Sequence, residues 1–251
     1  MIVADPRNPL AQRYEAALRE HLPEGVDGVA IVIGGDGFML ATINQLGHDR
    51  VYLGLNAGRV GFLLNDVTAT DAGWSAIADR LRARAWKTSH FPLLTAQITR
   101  ADGTVTTEHA VNDVVLERHT GQTAHLGLSI DGTPVVEHLV CDGVIFATAL
   151  GSTAYTFSAG GPACHPTLRT MAVTAICPHK PRLSPFLLPE ASTARLDVLS
   201  ADRRPVRAVT DGRMIEDVRA VAVALGPDSV KIAFLQGHDF TTCMVSKILR
   251  A

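Results

Sequence analysis

The sequence predicts an α/β amino-terminal domain with a mostly parallel sheet, followed by a β-rich second domain. Two observations favour this fold class. In the first third of the chain, short apolar runs alternate with helical patterns, which is typical of an open parallel sheet. From about residue 91 onward, strand patterns follow one another with few helices between them. We therefore predict domains at 1–90 and 91–235, followed by a carboxyl-terminal segment, 236–251.

The alternation in the first part can be followed element by element. Residues 29–33 (VAIVI) are a continuous β-branched run, which fits a parallel strand covered on both faces. Asn8 and Pro9 resemble the N-cap and first turn of a helix, and Thr70 is a good N-cap for another. In chain order we expect a strand at 2–4, a helix from Pro9 to about Glu20, strands at 29–33 and 51–55, and helices at 38–46 and after Thr70.

The second part is predicted from apolar runs and turn signals. Asp102-Gly103 and Asp131-Gly132 are typical hairpin turns. One helix is expected at 153–159. The expected strands are 93–99, 111–116, 126–130, 135–140, 194–199, 206–209, 218–225 and 230–234.

Composition excludes several classes of function. The formal net charge is −2 and only 5% of residues are aromatic, so neither a nucleic-acid partner nor an anionic membrane is expected. No apolar stretch reaches membrane-spanning length, and the amino terminus lacks a secretory pattern. The spacing of the four cysteines does not fit a zinc site. We expect free thiols and a cytoplasmic location.

The first candidate site is Gly34-Gly35-Asp36-Gly37, directly after the 29–33 strand. Glycines at the carboxyl end of a parallel strand let the backbone approach a ligand closely, and the helix that follows offers unpaired N–H groups to a phosphate. No Gly-Lys-Ser/Thr follows, so this is not a Walker loop. The alternative is a simple tight turn in which Asp36 caps the helix.

Three further segments carry candidate chemistry. Residues 56–63 (NAGRVGFL) follow the next predicted strand, and Asn112-Asp113 interrupts an apolar strand pattern. An amide beside a carboxylate suits a ribose diol or a base edge. Residues 142–162 combine glycines with hydroxyl-bearing side chains and are the richest stretch. Ordinary loops, strand-end capping and a surface turn are the alternatives for the three.

These segments, in this order, resemble the NAD kinase family. The resemblance rests on GGDG, N-x-G-x-x-G-F, an Asn-acidic pair, the DG…GSTAY…S-x-GGP block, and the later 176–179 (ICPH) and 209–212 (VTDG). GGDG alone also occurs in diacylglycerol and sphingosine kinases. The ordered set, above all GSTAY, is specific to NAD kinases.

The resemblance implies a function and a fold. The fold would pair the α/β domain with a β-sandwich-like domain, with the site between them, so that Asp36 and 153–155 face one cleft. The carboxyl-terminal segment, 236–251, would return to the first domain. The reaction would move a phosphoryl group from ATP, another triphosphate or polyphosphate to the 2′-hydroxyl of the adenosine ribose of NAD, giving NADP. Mg²⁺ or another divalent cation is implied, without a metal site made of protein ligands alone. A homodimer or homotetramer is also implied.

Carried over position by position, the resemblance implies roles for individual residues. Asp36 corresponds to the catalytic acidic residue, and Gly34, Gly35 and Gly37 to phosphate-binding positions. The implied substrate-binding residues are Gly37, Phe62, Asn112, Asp113, Asp142, Thr153, Ala154, Tyr155, Ser158 and Asp211.

Some positions depart from the family pattern. Leu150 stands where Ser or Thr is common, Asp113 replaces the commoner Glu, and Arg213 replaces a frequent Gln. Two alternatives to an NAD kinase remain open at this point. One is another GGDG-class kinase acting on a lipid or sugar, and the other is a regulator that binds NAD(P) without catalysis.

Overall fold

The computed structural model describes residues 1–58, 61–235 and 240–245. The chain divides into two compact units. The first, amino-terminal unit is made of Met1–Phe91 with the described residues from Ser229 onward, and the second unit is Pro92–Asp228. Compactness does not test independent folding, so the predicted domains stay predictions. Of the expected 236–251 segment, residues 236–239 and 246–251 lie outside the described residues.

The amino-terminal unit is built on a parallel sheet. Strands β1, β2, β3 and β4 pair in parallel, and the last residues of β16 join β3 through Lys231 opposite Val51, also in parallel. The predicted α/β class is therefore confirmed for this unit. Its elements are β1 (Ile2–Ala4), α1 (Pro9–His21), β2 (Val29–Gly34), α2 (Asp36–Leu46), β3 (Val51–Asn56), β4 (Leu64–Asn65), α3 (Asp71–Arg82), the end of β16 (Val218–Phe234) and α5 (Phe240–Met244).

Local signals explain why these elements form where they do. The side chain of Asn8 accepts the N–H groups of Leu10 and Ala11, and that of Thr70 accepts the N–H of Gly73, so both predicted N-caps are confirmed. The sheet buries its β-branched residues against α1 and α3. That core includes Leu18, Ile31, Ile33, Leu53, Leu55, Trp74, Ile77 and Leu81.

The second unit consists of antiparallel strands in two layers. One layer is a six-stranded sheet in the order β12-β11-β10-β7-β14-β15, and β8, β9, β13, β16, β5 and β6 form the other. The strands are β5 (Lys87–Arg100), β6 (Val105–Ala110), β7 (Asp113–Arg118), β8 (Ala124–Ile130), β9 (Thr133–Cys141), β10 (Gly143–Thr148), β11 (Thr170–Ile176), β12 (Phe186–Pro189), β13 (Thr193–Val198), β14 (Val206–Thr210), β15 (Arg213–Ile215) and β16.

Apolar side chains from both layers share one core. Leu116 and Phe146 come from the six-stranded sheet, and Leu126, Leu196 and Val221 come from the other layer. Two sheets that bury their inner faces together form a β-sandwich-like unit, as predicted. The predicted turns are also confirmed, since Asp131 and Gly132 both have positive φ, at 49° and 77°, between β8 and β9.

Several predicted bounds are wrong. The runs at 218–225 and 230–234 belong to one strand, β16. The predicted helix at 153–159 is a 3-10 turn, Gly151–Thr153, followed by the one-turn helix α4 (Tyr155–Ser158). Helix α2 begins at Asp36, two residues before its predicted start. Strand β7 begins at Asp113, not at Val111. The strands that were not predicted are β4, β6, β10, β11, β12 and β15.

Candidate functional site

The GGDG segment connects the end of β2 to the start of α2. Gly35 is extended, with φ −109° and ψ 174°, and no side chain caps the helix. The first N–H groups of α2 therefore have no partner within the helix. Gly34 is buried, and a Cβ there would lie 2.9 Å from Cδ1 of Phe38, so the turn requires a small residue. Free N–H groups at the exposed Gly37 suit a phosphate.

Asp36 connects this segment to the loop after β3. Its Oδ2 accepts the N–H of Phe62 at 2.8 Å, and its Oδ1 accepts the N–H of Leu63 at 3.1 Å. A Cβ on Gly61 would lie 2.4 Å from Oδ1, so only glycine permits this approach. Asp36 thus fixes a second loop rather than capping its own helix, which rules out the simple capping alternative.

The carboxyl ends of β2 and β3 lie side by side. Gly34 is in register with Asn56, and the N–H of Ala57 donates to the carbonyl of Gly34 at 3.0 Å. The side chain of Asn56 accepts the N–H of Gly58 at 3.0 Å. The GGDG and 56–63 segments are therefore neighbours in this unit. Arg59 and Val60 lie outside the described residues.

In the second unit, Asp211 organises the Asn112-Asp113 segment. Its Oδ2 accepts the N–H of Val111 at 2.6 Å, and its Oδ1 accepts those of Asn112 and Asp113 at 2.9 and 3.1 Å. The Asp211-Gly212 turn between β14 and β15 has positive φ at both residues, 44° and 85°. Asn112-Asp113 therefore lies at the start of β7 and does not interrupt that strand.

The GSTAY block meets the same segment from the other side. The N–H of Thr148 donates to the Asn112 carbonyl at 2.9 Å, and the Thr148 hydroxyl donates to the Val111 carbonyl at 2.7 Å. A Cβ on Gly151 would lie 2.1 Å from the Asn112 carbonyl oxygen. Three motifs that are far apart in sequence thus form one cluster, which we call the 112–151–211 cluster.

The electrostatics of this cluster are unusual. Burial, and then the neighbouring charge of Asp211, raise the pKa of the Asp113 carboxyl to about 7. Burial also raises the pKa of Asp211, although its three backbone N–H bonds favour the charged form and oppose that rise. Burial and a neighbouring negative charge both disfavour the ionised form, so Asp113 can carry a proton near neutral pH.

Tyr155 stands beside the cluster on α4. Its side chain is 42% exposed. Its pKa is raised, first by burial and then by the charges of Glu117, Asp113 and Asp142 among others, so these groups lie near it. An exposed aromatic ring among polar groups can stack on a base or nicotinamide ring.

The remaining predicted residues of this block are less free. Nε of Arg118 lies 2.8 Å from Oδ1 of Asp142, so this carboxylate already has a cationic partner. The Thr153 hydroxyl donates to the Leu150 carbonyl at 3.4 Å. Ala154 is half-buried, and its carbonyl accepts the N–H of the exposed Ser158 at 3.3 Å.

Sequence reasoning missed the residues that support the block. Ser152 is fully buried, and its hydroxyl donates to the Ala149 carbonyl at 2.6 Å and accepts the Cys164 N–H at 2.8 Å. Its role is thus internal. Arg213, which departs from the family pattern, forms an ion pair with Glu108 at 3.0 Å. Only the small size of Gly61 and Gly151 in the sequence signals the close contacts found here.

Within residues 1–58, 61–235 and 240–245, no group of three or more His, Cys, Asp or Glu could hold a metal ion. None of the helices in the described part of the chain is long and apolar enough to cross a membrane.

In the amino-terminal unit, a helix start with free N–H groups and a fixed carboxylate beside it is typical of phosphate-binding enzymes. The second unit separately carries a cluster of amide and hydroxyl groups. Comparison with known proteins gives the family. Residues 111–232 match the model of the ATP-NAD kinase C-terminal domain. An NAD kinase of Cereibacter sphaeroides is 40% identical over 94% of this chain and 92% of its own length. One from Hyphomonas neptunium is 35% identical over 92% and 91%. The chain belongs to the NAD kinase family.

Solved structures with the same fold are much more distant in sequence. Yeast NADH kinase, solved with NADH, has a TM-score of 0.86 at 20% identity and covers 99% of this chain and 86% of its own. An NAD kinase from Archaeoglobus fulgidus, solved with ATP, has a TM-score of 0.77 at 20% identity, covering 100% and 98%. At this identity the likeness shows the fold alone.

Proposed function

We propose that this protein is an NAD kinase that transfers a phosphoryl group from ATP to the 2′-hydroxyl of the adenosine ribose of NAD, giving NADP. One observation carries the proposal. Asp36 is fixed by two backbone N–H groups next to a helix start that can hold phosphate, yet each of its oxygens retains acceptor capacity.

The proposed roles are those that the resemblance to the family implies for each position. Gly34, Gly35 and Gly37 bind phosphate through the backbone, and Phe62 lies next to the dinucleotide. Asn112 and Asp113 bind the adenosine and its ribose. Asp142, Thr153, Ala154, Tyr155, Ser158 and Asp211 complete the dinucleotide site. That Asp36 and residues 153–155 serve one ligand stays a prediction.

The chemistry asked of Asp36 is modest. An ordinary aspartate is a far weaker base than a ribose alkoxide, so full deprotonation before attack is excluded. Phosphoryl transfer passes through a loose transition state, in which the acceptor hydroxyl loses its proton late. Asp36 orients the 2′-hydroxyl and accepts that proton as the new O–P bond forms and the bond to the leaving diphosphate breaks. Alignment and charge neutralisation provide most of the acceleration.

ATP is the proposed donor, because the Archaeoglobus fulgidus relative was solved with it. Other triphosphates and polyphosphate present similar oxygens. We also propose Mg²⁺ or another divalent cation. The described residues offer no cage for it, which fits an ion held by phosphate oxygens and water. Its chemistry is neutralisation of phosphate charge.

Location and assembly are part of the proposal. We expect a cytoplasmic homodimer or homotetramer whose partners are NAD and ATP, with no nucleic acid and no membrane. The formal net charge of −2 supports the last two expectations.

A coupled assay for NADP formation tests the function. Purified protein is given NAD and one donor at a time, with Mg²⁺ present or removed by chelation. We expect NADP to form with ATP and Mg²⁺, and most or all of this activity to be lost when Mg²⁺ is chelated. NAD binding without turnover on any donor would favour a regulator, and phosphorylation of a lipid or sugar in place of NAD would favour the other kinase class.

A further inference from the structure

The Asp211 carboxylate has little remaining capacity to accept a hydrogen bond directly from a substrate. Its three N–H partners occupy both carboxylate oxygens, and all three belong to consecutive residues of the 111–113 segment. Since a carboxylate has about four acceptor positions, little capacity is left for a ligand. The left-handed backbone at Asp211 and Gly212 holds the carboxylate in this direction.

The segment that Asp211 binds is also fixed from its other side. The Asn112 carbonyl accepts the Thr148 N–H, and Gly151 lies against it with no space for a Cβ. The Asp113 carbonyl accepts the N–H of Asp211 itself at 3.2 Å. With the backbone held on both sides, the directions of the Asn112 and Asp113 side chains are set in advance of binding.

The Asp113 carboxyl itself remains available. Among the described residues, none donates a hydrogen bond to it, although it is half-buried. The groups that face it are Asp211 from the β14–β15 turn and Tyr155 from α4, while its register partner on β10 is the uncharged Ala147. Arg213, whose positive charge acts on Asp211, forms an ion pair with Glu108.

We propose that Asp211 is a positioning residue that acts on NAD only through Asn112 and Asp113, whose backbone it holds, and that the half-buried Asp113 carboxyl is protonated and donates a hydrogen bond to the dinucleotide. This rests on the proposed function. A protonated carboxyl offers a ribose diol one donor and one acceptor, whereas an ionised one offers acceptors alone.

The proposal predicts a pH dependence with a definite sign. The pKa of Asp113 is raised to about 7, so the proton is present below that pH and is lost above it. Affinity for NAD should be constant below pH 7 and should then fall by about tenfold per pH unit above it, if only the protonated form binds. Removing the Asp211 charge lowers the pKa of Asp113, so the fall should begin at a lower pH.

Calorimetric titration of NAD between pH 6 and 9, without ATP, tests this independently of phosphoryl transfer. Wild type should show the fall above pH 7, and Asp211→Asn should show it shifted to lower pH with weaker binding throughout. Asp113→Asn should bind with no fall at all. A purely structural role for Asp211 would weaken binding and leave the pH of the fall unchanged, which would overturn the proposal, as would a flat wild-type profile.

Asp131→Asn is a matched control. Asp131-Gly132 is also a hairpin turn with positive φ, and its carboxylate accepts the Thr193 N–H at 2.8 Å and the Ser192 hydroxyl at 3.1 Å. This variant should lose stability and keep the wild-type profile. If the wild-type protein binds no NAD at any pH, the proposed function fails. The protonation of Asp113 can then be tested alone by infrared titration of its carboxyl, with the band assigned by difference against Asp113→Asn. An ordinary acidic titration there would contradict it.

Discussion

Two aspartates, one in each compact unit, hold a distant loop by its backbone, and they do so to different extents. Asp36 accepts one N–H on each oxygen, from Phe62 and Leu63. Asp211 accepts three, from Val111, Asn112 and Asp113. Both therefore shape a loop, but the second has nearly exhausted its acceptor capacity.

This difference separates a reacting group from a positioning one. A carboxylate has about four acceptor positions, so Asp36 retains about two and Asp211 about one. A base must have a free lone pair directed at the proton it takes. The two residues have the same side chain and similar surroundings of backbone amides, but only Asp36 is suited to chemistry.

The largest effect is expected from Asp36→Asn. The amide cannot accept a proton, so turnover should fall by about 10²–10⁴-fold while the fold is retained. NADP formation measures the turnover, and circular dichroism shows whether the fold is retained. Asp71→Asn is the control, because Asp71 likewise begins a helix, α3, with its side chain 87% exposed. Full activity of Asp36→Asn would remove Asp36 from the mechanism.

Gly61→Ala disturbs the same carboxylate without altering it chemically. The new methyl would lie 2.4 Å from Oδ1 of Asp36 and must displace it. A displacement of about 1 Å can cost roughly 10²-fold in rate, so turnover should fall by that order. Steady-state kinetics with saturating NAD checks it. Unchanged turnover would show that the position of Asp36 is not critical.

Gly151→Ala tests the cluster in the second unit. Its methyl would lie 2.1 Å from the Asn112 carbonyl oxygen, which is backbone and cannot move freely. We expect a loss of about 1–3 kcal/mol in the free energy of unfolding and weaker NAD binding. Chemical denaturation and calorimetry measure these. Gly121→Ala, where a Cβ meets nothing within 4 Å, is the control for both glycine variants. If Gly151→Ala and Gly121→Ala had the same free energy of unfolding, the close packing of Gly151 against Asn112 would be contradicted.

The smallest effect is expected from Asn8→Ala. The Asn8 side chain caps α1 through the N–H groups of Leu10 and Ala11, and donates to the Ala57 carbonyl at 2.9 Å. Loss of a cap costs about 1 kcal/mol of stability, and turnover should change little. Urea denaturation measures the loss of stability, with Glu20→Ala, a substitution at an exposed position of the same helix, as the control. A cost equal to that of Glu20→Ala would show that the cap is unimportant.

Local signals made the first unit predictable. The β-branched run of β2, the glycines after it and the caps Asn8 and Thr70 act within a few residues, so the sequence displays them directly. The same reasoning was wrong for β16, where it predicted two strands instead of one. Gly226-Pro227 resembles a turn, but residues 220–224 pair with β13 and 231–232 with β3, and this pairing carries the strand through.

The candidate site was predictable as a set of residue types but not as a set of contacts. Asp36 meets partners 26 and 27 residues away, and Asp211 meets partners 98 to 100 residues away. No periodicity or spacing encodes such contacts. The pairing of Asp142 with Arg118 and the burial of Ser152 were hidden for the same reason.

The most direct test measures turnover and NAD affinity together for Asp36→Asn and Asp211→Asn. If acceptor capacity separates the two roles, Asp36→Asn should lose turnover and keep its affinity for NAD. Asp211→Asn should instead bind NAD about tenfold more weakly or worse, a loss of roughly 1.4 kcal/mol in binding free energy, and should keep most of its maximal turnover. Loss of affinity in Asp36→Asn with turnover retained, or the same change in both variants, would contradict the account.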